Sequence, residues 1–154
     1  MLMHSPDKNI ISSLSPLTLR FLREARFSEK DIVTFTETST LLKDLELYGE
    51  MAEDVINILP NRFGVDMSTF IFSKYFPCEQ SEDTNHLDNL FLLKSFKKIK
   101  LFDRFIKKYE KKAEIVYSKY TPITLSMIAL TLEQKKWLGN EHSNTPAGSL
   151  RASI

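Results

Sequence analysis

From residue 49 to residue 63 the apolar positions follow the period of a helix. Ala52, Val55, Ile56, Leu59 and Phe63 fall at i, i+3, i+4, i+7 and i+11, one face of a helix that opens after Gly49. Glu50, Glu53 and Asp54 crowd its first turn, where carboxylates meet unpaired N–H groups and the positive end of the helix dipole. Pro60 cannot donate to Ile56, so the last turn should bend or end early. Beyond it Phe63, Val65 and Met67 alternate with polar residues through a turn at Gly64. Phe70, Phe72, Tyr75 and Phe76 then form a short aromatic element that Pro77 ends, and they read as core.

Upstream, residues 1–15 are polar and read as a flexible start. Ser15 and Pro16 are an N-cap and a first helical position. Leu17, Phe21, Leu22 and Ala25 give a short helix ending near Arg26, with Arg20, Arg23 and Arg26 on its other side. Residues 27–45 form a long connection, pinned by Ile32, Val33 and Phe35 and looping through Thr36–Thr40.

Downstream of Pro77, CEQSEDTNHLDN reads as a polar link. Helix follows over about 87–97 and again over about 101–117, with a junction near Ile99 and Lys100. Lys94, Lys97, Lys98, Lys100, Arg104, Lys107, Lys108, Lys111 and Lys112 make this segment strongly basic against Asp103, Glu110 and Glu114. It could cover the core with a solvated lysine face or dock an acidic protein surface, including the domain's own Glu50, Glu53 and Asp54. It could also contact an anionic membrane or phosphate backbones. After a break at Tyr120–Pro122, Thr124 caps a last helix in which Leu125, Ile128, Ala129 and Leu132 repeat up to Trp137. Gly139 should stop it, and residues 139–154 read as a disordered tail.

The pattern therefore predicts an all-α bundle, a single domain over residues 16–138 with an insert at about 78–120. The expected core is Leu22, Val55, Ile56, Leu59, Phe63, Phe70, Phe76, Ile128 and Leu132. A chain of 154 residues can bury such a core, and 42% hydrophobic with 27% charged residues is ordinary for a globule. The net charge of +1 gives no case for nucleic acid as a partner of the whole molecule. A lone Cys78 rules out an internal disulfide and fits a cytoplasmic setting. No apolar run approaches the ~20 residues of a membrane span, and the first residues lack the pattern of a secretion signal.

Catalytic chemistry is scarce. His4, His86 and His142 make no metal spacing with one another or with Cys78. A Cys78–His86 nucleophile pair would have nothing to orient its base. Four scattered glycines exclude a phosphate-cradling loop, and Glu53 and Asp54 are solvated neighbours rather than an acid–base pair. No enzyme, metal or cofactor is expected.

The stretch KDLELYGEMAEDVINILPNRF, residues 43–63, resembles the centre of an acyl carrier protein. In that family a helix opens at an Asp-Ser-Leu motif whose Ser carries phosphopantetheine. Lys43-Asp44-Leu45 falls on the family's loop end without a gap, and Phe63 falls on its aromatic at the helix end. The motif then lands on Tyr48-Gly49-Glu50, and Gly49 stands in the place of the serine. No Ser or Thr lies between Leu41 and Asp66 to replace it; Ser68 and Ser73 are the nearest downstream. The wider pattern, YGEMAED, FGVDMSTFIFSKYFP and ITLSM…KKW, is similar to domain-of-unknown-function family 1493, small enterobacterial proteins with an acyl-carrier-like fold. Members of that family carry Gly-Asp-Asp-Ala where this chain has Gly49-Glu50-Met51-Ala52. The likeness covers about residues 28–77 and 121–137.

The resemblance implies an acyl-carrier-like bundle with a basic helical insert and no prosthetic-group site. It implies a non-catalytic protein-binding or regulatory module whose unidentified protein partner reads an acidic surface. Glu46, Glu50, Glu53 and Asp54 are the candidates for that surface. The other readings are a carrier modified at an atypical serine, and a peripheral binder of anionic membrane through the basic segment.

Overall fold

A computed structural model of the chain describes residues 13–96, 100 and 103–139. Along them run seven helices: α1 (Pro16–Glu24), α2 (Glu29–Ile32), α3 (Gly49–Phe63), α4 (Phe72–Tyr75), α5 (Glu82–Lys94), α6 (Asp103–Ser118) and α7 (Leu125–Gln134). Among the described residues the extended pairings are two isolated bridges, Thr40 with Thr124 and Asp66 with Lys136, so the fold is all-α. No helix among them is long and apolar enough to cross a membrane. The expected flexible start up to residue 12 and the expected tail from residue 140 lie outside the described residues, as do His4, Lys97, Lys98 and His142.

Ser15 opens α1 by accepting from the Thr18 amide at 3.2 Å. The buried face is Thr18, Phe21 and Leu22, and Leu17 is only half-buried. Thr18 is accommodated because its hydroxyl lies 2.9 Å from that of Ser15. Leu14, within the stretch expected to be flexible, is packed in the core.

The connection from α1 to α3 is pinned differently from the expectation. Ile32 is buried, but Val33 is 48% exposed, because it follows the short α2 on its outer side. Phe35 is partly buried against the core, edge-on to Phe27 at 5.5 Å, and the other pins are Leu41, Leu42, Leu45 and Leu47. Their loop is held by Asp44, whose carboxylate accepts from the Thr40 amide (2.7 Å) and hydroxyl (3.0 Å). The Leu41 amide then donates to Ile123 at 2.9 Å, tying the loop to the entrance of α7.

Helix α3 buries Ala52, Val55, Ile56, Leu59 and Phe63, as the spacing predicts. Pro60 does not end it early; the helix runs on to Phe63. Tertiary closure outweighs the hydrogen bond lost at Pro60. Gly64 takes a left-handed turn (φ 64°), the Val65 amide reaches back to Leu59 at 3.1 Å, and the Lys135 ammonium donates to the Phe63 carbonyl at 2.7 Å.

The expected polar link after Pro77 is helical from Glu82. Ser81 caps α5 by accepting from the Thr84 amide (3.2 Å), and the Thr84 hydroxyl donates to the Cys78 carbonyl (2.8 Å). Thr84, Leu87 and Leu90 turn inward. Helix α6 packs along α5, and α1 packs on α7 and α3. Helix α7 stops at Gln134, short of Trp137 and Gly139, where Lys135 takes a left-handed conformation (φ 57°). The chain leaves the helix there to pair with Asp66: its amide donates to Lys135 and its carbonyl accepts from Trp137, both at 2.9 Å. That seats Trp137 edge-on to Phe70 and Tyr75, with centroids 5.0 and 5.4 Å away.

One buried cluster runs from Leu14 through α1, α3, α5 and α6 to α7. It includes every expected core residue except Phe70, which is partly buried and packs against it.

Candidate functional site

A groove of about 540 Å³ opens where the end of α1 and the loop before α3 meet the first three turns of α3. Its floor is Phe27, Leu45, Leu47, Met51, Val55 and Ile58, and its rim carries Glu24, Arg26, Glu46 and Asp54. Met51, Asp54, Val55 and Ile58 fall at i, i+3, i+4 and i+7, a second face of α3 beside the fully buried one. Met51 is 53% exposed, so an adaptable apolar side chain sits at the mouth.

Glu46 stands between buried Leu45 and Leu47 in a left-handed backbone conformation, φ 58°. Both leucines point into the protein, so the residue between them is thrust outward. Although Glu46 as a residue is exposed, its carboxyl is partly desolvated. Burial raises it above the usual carboxylate range, and the Lys94 ammonium opposes that rise. Glu24 lies 3.9 Å from Arg62, a loose exposed pair.

The structure thus divides the four acidic residues expected to form one surface. Glu46 and Asp54 line the groove; Glu50 and Glu53 are exposed but do not line it. Of the three carboxylates on α3, only Glu50 is in the first turn. Sequence reasoning passed over Met51, Ile58 and Phe27. A second helical phase through Met51, Asp54, Val55 and Ile58 would have found two of them.

No protein-family model, curated protein or solved structure matches this chain.

Gly49, at the head of α3, has φ 56°. A Cβ built there would meet no other side chain or distant backbone within 4 Å, so the obstacle to a side chain is conformation rather than space. The preceding residue, Tyr48, is buried and extended (φ −154°), and its side chain does not cap the helix. Its hydroxyl instead donates to Asp88 on α5 at 2.6 Å, and its ring stacks on Phe91 with centroids 5.7 Å apart. Burial, with the Asp88 carboxylate beside it, raises the phenol far above its ordinary value, so it is a fixed neutral donor.

The pair of helices α5 and α6 therefore grips the loop before α3, not the Glu50–Asp54 edge. Lys43 bridges to Glu114 at 2.8 Å and lies over the Tyr117 ring at 5.7 Å. Burial, with Glu46 nearby, pushes the Tyr117 phenol up to about 12. At the far end Asp83 accepts from Lys119 and from the Tyr120 hydroxyl, both at 2.8 Å. The Lys119 hydrogen bond holds its carboxyl below the usual range despite partial burial.

The basic candidates are dispersed over this pair. Lys94 sits over the Phe91 ring at 5.6 Å and Lys112 over Tyr109 at 5.2 Å. Lys94, Lys107 and Lys111 line a cleft of about 450 Å³ with Lys43. Lys100, Arg104 and Lys108 are exposed. Cys78 is exposed, with its carbonyl rather than its thiol engaged by Thr84, and His86 lies 3.6 Å from Glu82 on its own helix. Among the described residues no three His, Cys, Asp or Glu side chains gather as a metal set. Ser68 sits in the turn beyond α3, its amide donating to Asp66 at 2.9 Å, and Ser73 is in α4; both lie past the end of α3 rather than at its head.

Proposed function

We propose that the chain is a cytoplasmic, non-catalytic protein-binding module of the acyl-carrier type, working without a phosphopantetheine arm. Its groove takes an apolar segment flanked by Lys or Arg from a partner protein. The observation that carries this is the groove itself: an apolar floor with half-exposed Met51, under a rim where Glu24, Glu46 and Asp54 outnumber Arg26.

The order of elements supports the carrier reading. A first helix, a long pinned loop, a second helix, a short third and a last helix correspond to α1, α3, α4 and α7, with α5 and α6 inserted before the last. The position that resembles the carrier serine is Gly49 in a left-handed conformation. What remains at that end of the bundle is a surface, not a nucleophile.

The test places a photoreactive residue at Met51 in the native host. The expected result is a crosslink to one partner, lost when Glu46→Lys and Asp54→Lys are combined. The reading fails if the same partner is crosslinked with both acids reversed, or if Met51 captures nothing.

A further inference from the structure

Helix α6 has three sides. Ile106, Ala113 and Val116 are buried, with Tyr109 and Tyr117 half-buried beside them, and this side packs towards α5 and the core. Asp103, Glu110 and Glu114 fall at i, i+7 and i+11, an acidic stripe that meets the loop before α3 where Glu114 pairs with Lys43. Arg104, Lys108, Lys111 and Ile115 fall at i, i+4, i+7 and i+11, all exposed, on the side away from the core. Glu110 and Glu114 share their cleft with Lys107 and Lys111, while Arg104, Lys108 and Ile115 do not line it.

The charge imbalance is large for so neutral a protein. Residues 94–114 hold nine Lys or Arg against three Asp or Glu, a net +6 in a chain whose total is +1, so the remainder carries −5. Apolar side chains accompany the cations. Leu92 is 62% exposed, Phe105 54% and Ile115 61%. Leu92 and Phe105 share one shallow cavity of about 240 Å³ with Asn89, Leu93 and Tyr109, so they are neighbours across the two helices.

We propose that the outward face of α6 rests on an anionic lipid bilayer, with Leu92 and Phe105 entering the interface at one end. An amphipathic helix alone would bury its apolar side in lipid, but here that side is already used against α5. The contact is therefore cations first: long Lys and Arg stems lie along the surface and their heads meet lipid phosphates. Exposed Leu92 and Ile115 favour a bilayer over a nucleic-acid backbone, which offers aliphatic side chains nothing. At 16 residues, α6 is a rod of about 24 Å, long enough to lie flat across several headgroups. None of its residues lines the groove, so this surface stands or falls independently of the partner-binding reading.

The test is co-sedimentation of the full chain with phosphatidylcholine vesicles, with vesicles of phosphatidylcholine and phosphatidylglycerol, and, in parallel, retention of a duplex and a single-stranded oligonucleotide. Binding to the anionic vesicles alone, weakening with salt, is expected. Arg104→Glu, Lys108→Glu and Lys111→Glu together should cut the partition by about a hundredfold, at roughly fivefold for each cation lost. Leu92→Ser with Phe105→Ser should cut it several-fold, and the deficit should persist in high salt. All these residues are exposed, and near-ultraviolet circular dichroism of buried Trp137 verifies that each variant is folded. The proposal is overturned by equal partition to both vesicle types, by no binding at low salt, by binding indifferent to the apolar pair, or by tighter retention of either oligonucleotide.

Discussion

The groove beside α3 and the outer face of α6 are opposites in shape and in charge. The groove is concave, with an apolar floor under a rim of Glu24, Glu46, Asp54 and one arginine. The α6 face is convex, with bases outermost and exposed apolar side chains among them. A net charge of +1 conceals this division, since the +6 of residues 94–114 is offset by −5 over the rest of the chain. The groove lies between α1 and α3, whereas α6 packs buried Ile106, Ala113 and Val116 towards α5 and the core, with Lys43–Glu114 and Asp83 with Lys119 and Tyr120 as polar ties.

The largest expected effect separates core from surface. Phe21 is fully buried, with its ring 6.4 Å from Phe63. Phe21→Ala should lower stability by about 3–5 kcal/mol, while Ile115→Ala on the outer face of α6 should stay within about 0.5 kcal/mol. Urea unfolding checks both, and similar losses at the two positions would break the comparison. Next comes Gly49→Ser, which places a hydroxyl where the proposed carrier resemblance puts its serine. Its left-handed conformation should cost about 1–2 kcal/mol by the same measurement. A neutral result would mean the head of α3 readily accepts a serine.

How much of this was legible follows from the same elements. Helix α3 was readable because its apolar period, its opening glycine and its acidic start agree. The beginning of α5 was not, because EDTNH is polar throughout and only the Ser81 cap and Thr84 mark it; burial of Thr84 depends on the Cys78 carbonyl, a contact sequence spacing does not contain. The end of α7 was misplaced because Trp137 extends the apolar period, while the chain in fact turns at Lys135 to pair with Asp66. The acidic cluster was visible as composition. Its division between groove and open surface needed the phase of α3 and the path of the loop carrying Glu46.

Two smaller effects test the electrostatics of each region. Asp83 has a depressed carboxyl, so its contribution is present above the ordinary carboxylate value and is lost as pH falls through its own lower value. Asp83→Asn should therefore cost about 1 kcal/mol at neutral pH, and the difference should shrink in acid. Urea midpoints at the two pH values check this; a cost that grows in acid would contradict the assigned partners. Glu46 has the opposite sign. Its raised carboxyl contributes fully below the ordinary carboxylate value, and that contribution is lost as pH rises through the raised value. Glu46→Gln should thus stabilise slightly at neutral pH, by a few tenths of a kcal/mol after solvent screening, in thermal unfolding. A destabilised variant would mean that Lys94 outweighs desolvation at the rim.

The central claim is that the head of α3 works as a recognition surface and not as an attachment point for a prosthetic arm. Its most direct test is the intact mass of the protein purified from its native host with a phosphopantetheinyl transferase supplied. The account predicts the mass of the unmodified chain. A mass raised by one phosphopantetheine would contradict it, and the modified residue would then define the site in place of the groove.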